Sequence, residues 1–297
     1  MTQGAVSRQI KLLELQLKTS LFHRQPRTLE LTPNGSLYLA TVREAFDMIE
    51  GASRRLTRTG SVRVLTVSVL PTLAMNWIIP HLHEFNEVHP DVEIHMVTSI
   101  NPVDFDTDID MAIRVGSPHA TGKDKNLARI DLVMTEDWSG IEMEELMADS
   151  IVPVCAPSLL QGPRALRSIE DLRFQTLLHN ATRPHAWADW LDATGPHTVP
   201  TDRGPRFGHF FMAIEAARQG KGVACVPDVL TAADLASGRL VAPFPRPAAS
   251  TGAYYILYRR QRRELTQLRA FSTWLMQLAA RTQRPPAGSN GVARVTA

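Results

Sequence analysis

The sequence lacks any uninterrupted apolar run long enough to form a membrane-spanning helix, and it has few cysteines. The two cysteines, Cys155 and Cys225, form no CxxC pair, and we expect both to be reduced, buried thiols. The N-terminus MTQGAVSRQI has no apolar signal-peptide core. These absences exclude a disulfide scaffold and a membrane-spanning chain, and they predict a cytoplasmic protein.

Catalytic and metal-binding motifs are absent as well. There is no GxSxG, GxxxxGK[ST] or HExxH motif and no GxGxxG after a strand. Aspartates alternate over residues 104–110, but neither Asp104 nor Asp106 starts a calcium loop with the required glycine and glutamate. His83 and Glu87 are four residues apart, yet their spacing fixes no third metal ligand. We therefore expect no enzyme activity, no cofactor and no metal site.

The composition is that of an ordinary globular protein, but its charge is distributed unevenly. At about 150 residues per domain, 297 residues predict about two domains. Residues 1–63 carry a net charge of +5, residues 64–252 carry −10 and residues 253–297 carry +7. A basic N-terminal segment on an acidic body is typical of a protein that contacts nucleic acid at one end. A solvated basic surface is the alternative explanation.

The first segment has the pattern of an amphipathic helix capped by Thr2. Apolar residues recur every three or four positions from Val6 to Leu21, and a polar stripe runs beside them. Pro26 ends this period, and TLELT at residues 28–32 alternates like a short strand.

A second helix is predicted to begin at Thr32, a good N-cap, with Pro33 at its first position, and to run to Thr59. Its apolar residues form a heptad seam: Tyr38, Val42, Ala45, Ile49, Ala52 and Leu56. The seam favours a linker helix that pairs with a second copy of the chain. An amphipathic helix packed on its own domain is the alternative.

Strand and helix patterns alternate from Val62 onwards. The predicted strands cover residues 62–70, 92–99, 108–116, 151–157, 174–180, 222–227 and 254–260. The predicted helices cover residues 72–88, 186–194, 209–219 and 264–281. This alternation predicts an α/β sheet with crossover helices.

Several segments resemble LysR-type transcriptional regulators, in the order of that family. TQGAVSRQIKLLELQL and LFHRQPRTLELTPNG resemble the DNA-reading helix and the wing. Four later segments resemble successive parts of that family's effector domain: HEFNEVHPDVEI, DIDMAIRVG, IVPVCAPSLL and AARQGKGVACVPDVLTAADLASGRLVAPF. The resemblance covers residues 1 to about 281. It is strongest to the branch that includes the glycine-cleavage activator and the β-lactamase regulator.

The resemblance implies an α/β chain with a partial N-terminal winged helix-turn-helix, a long linker helix and a two-subdomain effector domain like a periplasmic binding protein. The implied boundaries are 1–31 for the recognition helix and wing, 32–60 for the linker helix, 61–281 for the effector-binding domain and 282–297 for a disordered tail. Subdomain one is expected at 62–150 plus 244–281, and subdomain two at 151–243.

Members of the family usually carry about thirty further residues before this point, enough for two more helices. We therefore expect a chain that starts at Met1 to lack the first helices of the winged helix-turn-helix and to bind DNA poorly or not at all. The alternative function is a truncated small-molecule-binding dimer without DNA-binding activity.

The resemblance also implies two sets of functional residues. Those expected to contact promoter DNA are Thr2, Gln3, Ser7, Arg8, Lys11, Arg24 and Arg27. Those expected to bind a small, anionic effector are Ser68, Thr72, Asn101, Asn180 and Phe207. Solvated surface charge is the alternative for the first set. Loop capping is the alternative for Thr72 and Asn101, and core packing for Phe207. The expected partners are promoter DNA, the effector and further copies of the chain, paired through helix 33–59 and assembled as a homotetramer.

Overall fold

The computed structural model describes residues 3–24, 29–39, 41–42, 46, 63–118, 127–244 and 246–283. The chain divides into two compact units, Met1–Ser61 and Val62–Ala297. Each unit is described separately below.

The first unit consists of a helix, a short hairpin and the start of a second helix. Helix α1 spans Gln3–Leu17, strand β1 spans Phe22–Arg24 and strand β2 spans Leu29–Leu31. The second helix, α2, includes residues 33–39, 41–42 and 46 among those described. Helix α1 ends four residues before the predicted Leu21, because Lys18 takes a left-handed backbone conformation with φ of 52°.

The hairpin is tied to α1 by a carboxylate. The backbone N–H groups of Leu21 and Phe22 donate hydrogen bonds to Glu14 Oε1 at 2.8 and 3.2 Å. Strands β1 and β2 then pair antiparallel, with Phe22 opposite Leu31. A strand around Leu29–Leu31 was predicted, whereas its partner β1 carries too few apolar residues to be seen in the pattern.

Thr32 caps α2, as predicted. Its Oγ1 accepts a hydrogen bond from the Gly35 N–H at 2.9 Å and donates one to the Ser20 carbonyl at 2.7 Å. Gly35 has to be a glycine because a Cβ there would overlap the Leu21 carbonyl. Most of the predicted seam lies outside the described residues: Ala45, Ile49, Ala52 and Leu56.

The second unit is a mixed α/β domain. Its strands are β3 (Arg63–Val69), β4 (Val92–Thr98), β5 (Met111–Gly116), β6 (Ile141–Val154), β7 (Leu177–Asn180), β8 (Arg206–Phe207), β9 (Val223–Pro227) and β10 (Ala248–Arg259). Its helices are α3 (Pro71–Leu73), α4 (Leu82–Val88), α5 (Ala186–Thr194), α6 (Phe210–Arg218), α7 (Ala232–Ala236) and α8 (Thr266–Thr282). A π turn and a 3-10 turn at Ala74–His81 join α3 to α4, where Pro80 was predicted to distort the helix.

All eight strands form one sheet in the order β4-β3-β5-β10-β6-β9-β7-β8. Strands β3, β4 and β5 are parallel in one half, and β7, β8 and β9 are parallel in the other. The long strands β6 and β10 run antiparallel to each other in the middle and belong to both halves. The result is the predicted pair of α/β subdomains, joined by two crossing strands.

Both crossing strands are longer than the pattern predicted. Strand β6 begins at Ile141 rather than 151, and β10 begins at Ala248 rather than 254. Three of the first seven residues of β6 are glutamates, and the first six residues of β10, AASTGA, are all small. The periodicity therefore missed segments that are ordered by their partner strand rather than by their own apolar content.

The sheet is covered on both faces. One large core lies against α8, where Phe85, Phe271 and Trp274 pack with ring centroids 5.1–5.7 Å apart. A second core in subdomain two centres on Trp187 and Trp190. In the described part of the chain, no helix is both long and apolar enough to cross a membrane.

We predict that Thr32→Ala speeds amide hydrogen exchange at residues 33–36 about fivefold, since a lost N-cap costs about 1 kcal/mol. Thr32→Ser keeps the hydroxyl and should exchange like the wild type. Exchange would be measured by mass spectrometry on peptides from this region. Equal exchange in Thr32→Ala and the wild type would contradict the cap.

We also predict that neither native thiol reacts with a disulfide reagent at pH 8. Burial raises the pKa of Cys155 to about 11 and raises the pKa of Cys225 as well, so both stay protonated and shielded. Colorimetric titration should detect both thiols only after unfolding in urea. Rapid reaction of either thiol in the folded protein would contradict this.

Candidate functional site

A cleft lies between the two subdomains, at the carboxyl ends of β3 and β5. This edge of a parallel sheet is where α/β proteins generally bind ligands. The cleft encloses about 30 Å³, room for about two water molecules. Its lining comprises Leu70, Pro71, Thr72, Leu73, Ile100, Val115, Leu132, Thr182, Arg183, His209, Phe210, Pro227, Leu230 and Tyr254.

Two direct hydrogen bonds close the cleft. Thr72 lies where β3 turns into α3, and its Oγ1 accepts a hydrogen bond from the Phe211 N–H of α6 at 3.1 Å. Nearby, Asn76 Nδ2 donates to the Leu230 carbonyl at 2.9 Å. Each bond joins one subdomain to the other, so the cleft is in a closed form.

The polar side chains of the cleft come mostly from subdomain two and the crossing strands. Arg183, in the turn after β7, is buried and forms an ion pair with Asp149 on β6. Burial and the charge of Asp149 raise the pKa of Tyr254, on β10, well above its usual value, so this phenol stays protonated. The side chain of His209 stacks with Phe211 at the start of α6, with ring centroids 5.5 Å apart.

Of the five residues predicted to bind the effector, Thr72 lines this cleft. Ser68 is the next-to-last residue of β3, and its Oγ accepts a hydrogen bond from Arg114 Nη2 at 2.8 Å. Burial lowers the pKa of that arginine to about 10. Ser68 is thus engaged with a buried cation rather than exposed to the cleft.

The other three predicted residues lie outside the lining. Asn101 is exposed, and its N–H donates to Ser99 Oγ at 3.0 Å. Asn180 is buried at the end of β7, and its Oδ1 accepts a hydrogen bond from the Thr182 N–H at 2.9 Å. Phe207, on β8, packs against the large core. The structure brings Asn180 and Phe207 together as paired strand residues but does not bring Asn101 to them.

Sequence reasoning missed Arg183, Tyr254 and His209. Tyr254 lies in the predicted strand YYILYRR, but the pattern does not tell which tyrosine faces the cleft. Arg183 lies in an irregular turn, TRPHA, and no motif marks it. A search for arginines close to strand ends would have included it among several others.

In the first unit, the predicted DNA-contacting residues lie along α1. Ser7, Arg8 and Lys11 are exposed there. Gln3 is the first residue of α1, and Arg24 is the last residue of β1. Thr2 and Arg27 lie outside the described residues.

No metal cluster marks the site. Among the described residues, no group of three histidine, cysteine, aspartate or glutamate side chains could hold a metal ion. Of the aspartates that alternate before β5, Asp106 pairs with Arg259, and Asp110 Oδ2 accepts a hydrogen bond from the Thr66 N–H at 2.9 Å.

Sequence comparison matches both parts of the chain to one family. Residues 58–280 match the LysR substrate binding domain, and residues 1–36 match the bacterial regulatory helix-turn-helix protein of the lysR family. The chain is 34% identical over 283 residues to the glycine cleavage system transcriptional activator of Escherichia coli strain K12, covering 95% of this chain and 87% of that protein. It is also 34% identical over 281 residues to the transcriptional activator AmpR of Pseudomonas aeruginosa, covering 94% and 87%.

Solved structures agree with this assignment. The effector domain of AmpR from Pseudomonas aeruginosa is similar with a TM-score of 0.56 at 30% identity, covering 73% of this chain and 96% of that one. The full-length virulence activator AphB of Vibrio cholerae shares the fold, with a TM-score of 0.58 at 20% identity and coverage of 93% and 90%. These relatives are regulators, not enzymes. The chain therefore belongs to the LysR family of transcriptional regulators.

Proposed function

We propose that this LysR-type regulator binds promoter DNA and that a small anionic effector in the cleft between its subdomains modulates that binding. The observation that carries the proposal is the hydrogen bond between the start of α6 and Thr72. The first-turn N–H of Phe211 points at the Thr72 hydroxyl across the cleft. A helix N-terminus facing a hydroxyl donor is a favourable environment for a carboxylate or phosphate oxygen.

The lining also contains a group that can bind an anion. Arg183 lines the cleft near the start of α6, and its charge is balanced by Asp149, so an anion has to compete with that carboxylate for the guanidinium. The rest of the lining is mainly apolar, as in most small-molecule sites, where a few polar groups set orientation. An anion with a short apolar body fits this combination.

The small volume of the cleft supports a conformational response. An effector larger than about two water molecules has to separate the Thr72–Phe211 and Asn76–Leu230 contacts. The energy of this opening has to come from a higher affinity of the effector for the opened form. Binding would therefore change the hinge angle between the subdomains.

Contact with DNA is proposed for the exposed polar side of α1. Gln3 can contact adenine, Arg8 guanine or phosphate, and Lys11 phosphate. Arg24 and Arg27 flank Pro26 in the sequence and are suited to the DNA backbone or the minor groove. Thr2 and Ser7 complete the proposed contact set.

Pairing of two copies is proposed for the linker helix over 33–59. The predicted seam supports it, since its described members Tyr38 and Val42 lie about one turn apart and are only half-buried. Apolar side chains exposed on a helix favour association with another helix. A tetramer built from such pairs would carry two DNA-binding pairs, and the hinge angle would set the distance between them.

We predict that Thr72→Val weakens anion binding about tenfold, because it removes a hydroxyl worth about 1–1.5 kcal/mol to a charged ligand. Calorimetric titration of the full chain with acetate, succinate and inorganic phosphate would measure this, with ethylamine as the cationic comparison. Thr273→Val, on the exposed side of α8, is the matched control and should bind like the wild type. Wild-type binding of ethylamine as tight as that of every anion would contradict the proposal.

We predict that Arg8→Ala lowers affinity for DNA by about 5- to 150-fold if this residue reads a base, an effect of about 1–3 kcal/mol. The duplexes would be those that the wild-type protein selects from a random library. Lys18→Ala, which removes one positive charge beyond the end of α1, should change affinity much less. Equal losses in the two variants would indicate a general charge effect. Failure of the wild type to select any duplex would favour the alternative function, a small-molecule-binding dimer without DNA-binding activity.

A further inference from the structure

Arg183 is unusual among the cleft residues because it also contacts both crossing strands. Its Nη2 donates a hydrogen bond to Asp149 Oδ2 on β6 at 2.6 Å, and its Nη1 donates one to Ser250 Oγ on β10 at 3.2 Å. One guanidinium therefore links the cleft to the two strands on which any movement between the subdomains depends.

The two contacts lie where the pairing of the crossing strands is irregular. Ala249 pairs with Ser150 and Ala253 pairs with Ala148, so three residues of β10 face a single residue of β6, Asp149. Such bulges bend strands and increase their local twist. This stretch is the natural position for a hinge, and Arg183 contacts a residue on each side of it.

A third segment holds β10 at the same place. The Ala128 N–H donates to the Ala249 carbonyl, and the Thr251 N–H donates to the Ala128 carbonyl, both at 2.8 Å. The segment is anchored in turn by a bidentate ion pair between Arg129 and Asp189 of α5. These contacts flank Ser250 on both sides, and its hydroxyl is thereby presented to Arg183.

The ion pair is almost fully removed from water. The side chains of Arg183 and Asp149 are 2% and 0% exposed. Burial acts to lower the pKa of Arg183, but the charge and the hydrogen bond of Asp149, together with Tyr254 and Asp131, raise it overall, so the guanidinium stays charged. Removing one partner from such a pair leaves an uncompensated buried charge, which is costly. Because Arg183 lines the cleft, an anion bound there can compete with Asp149 for its guanidinium.

We infer that Arg183 is a positioning residue that clamps both crossing strands in the closed form of the cleft, and that an effector acts by drawing its guanidinium away from Asp149 and Ser250. The second part rests on the proposed function, because it requires an anion in the cleft. The first part requires no ligand. The two parts can therefore be tested separately.

The clamp is tested by thiol labelling in the absence of ligand. Ile100→Cys places a reporter thiol in the cleft lining at a half-buried position, whereas Cys155 and Cys225 are buried. Adding Ser250→Ala to this reporter should raise the labelling rate about threefold or more, because local opening becomes less costly. Asp149→Asn should raise it further.

Two matched variants separate clamping from general destabilisation. Ser250→Thr keeps the hydroxyl and should restore the rate of the reporter alone. Ser150→Ala removes a hydroxyl on β6 that binds Asp228 rather than Arg183, and it should leave the rate within about twofold of the reporter's. If Asp149→Asn does not fold, the Ser250 pair decides the question alone. Equal labelling rates in Ser250→Ala, Ser250→Thr and Ser150→Ala would overturn the clamp.

The coupling between anion binding and release of the Arg183 clamp is tested by adding acetate, succinate or inorganic phosphate to the same proteins. An anion that binds should change the labelling rate of the reporter, and Ser250→Ala should reduce that change while calorimetric affinity stays within about threefold. Binding with an unchanged response in Ser250→Ala would overturn the coupling. If none of the anions binds the wild type, the proposed anion site is contradicted instead, and the ligand-free rates still decide the clamp.

Discussion

The antiparallel pairing of β6 with β10 is the interaction on which the rest of the effector unit depends. These two strands occupy the middle of the eight-stranded sheet and take part in both subdomains. Their pairing is regular over Tyr255–Arg259, shifts by one residue between Tyr254 and Tyr255, and is interrupted between Ala249 and Ala253. Gly252 lies in the interruption, where any side chain would overlap the Gly116 carbonyl. A continuous ladder would make one rigid sheet, whereas the interruption permits two α/β layers to turn about a short segment.

The charged groups around this segment follow from its burial. Asp149 and Arg183 neutralise each other inside the protein, where an isolated charge would be very costly. Burial and the charge of Asp149 also raise the pKa of the neighbouring Asp228, against the opposing hydrogen bond from Ser150. Arg114 is also a buried arginine, but its guanidinium donates hydrogen bonds to neutral groups: the Ser68 and Ile113 carbonyls and the Ser68 hydroxyl.

The fold was largely predictable because its signals are local. The helix over 186–194 was predicted at the bounds that the structure has, since a buried stripe of Trp187, Trp190 and Leu191 repeats at helical spacing. The cap at Thr32 was predictable for the same reason, because a hydroxyl before a proline contacts residues within one turn. The first halves of β6 and β10 were not predictable, because a glutamate-rich segment and a segment of small residues carry little strand signal of their own. Each becomes a strand by pairing with the other half of its partner. Of the residues predicted to contact an effector, Thr72 lies in the cleft lining, whereas Ser68 contacts Arg114.

The sequence by itself determined the family, the order of helices and strands, the basic helix at the N-terminus and the position of Thr72 at the start of a helix. Each of these depends on neighbouring residues or on spacing along the chain. Only the tertiary structure placed Arg183 between Asp149 and Ser250, residues 34 and 67 positions away. No periodicity encodes such a contact, because it arises when two distant strands cross beside a turn and a buried charge has to find its partners there.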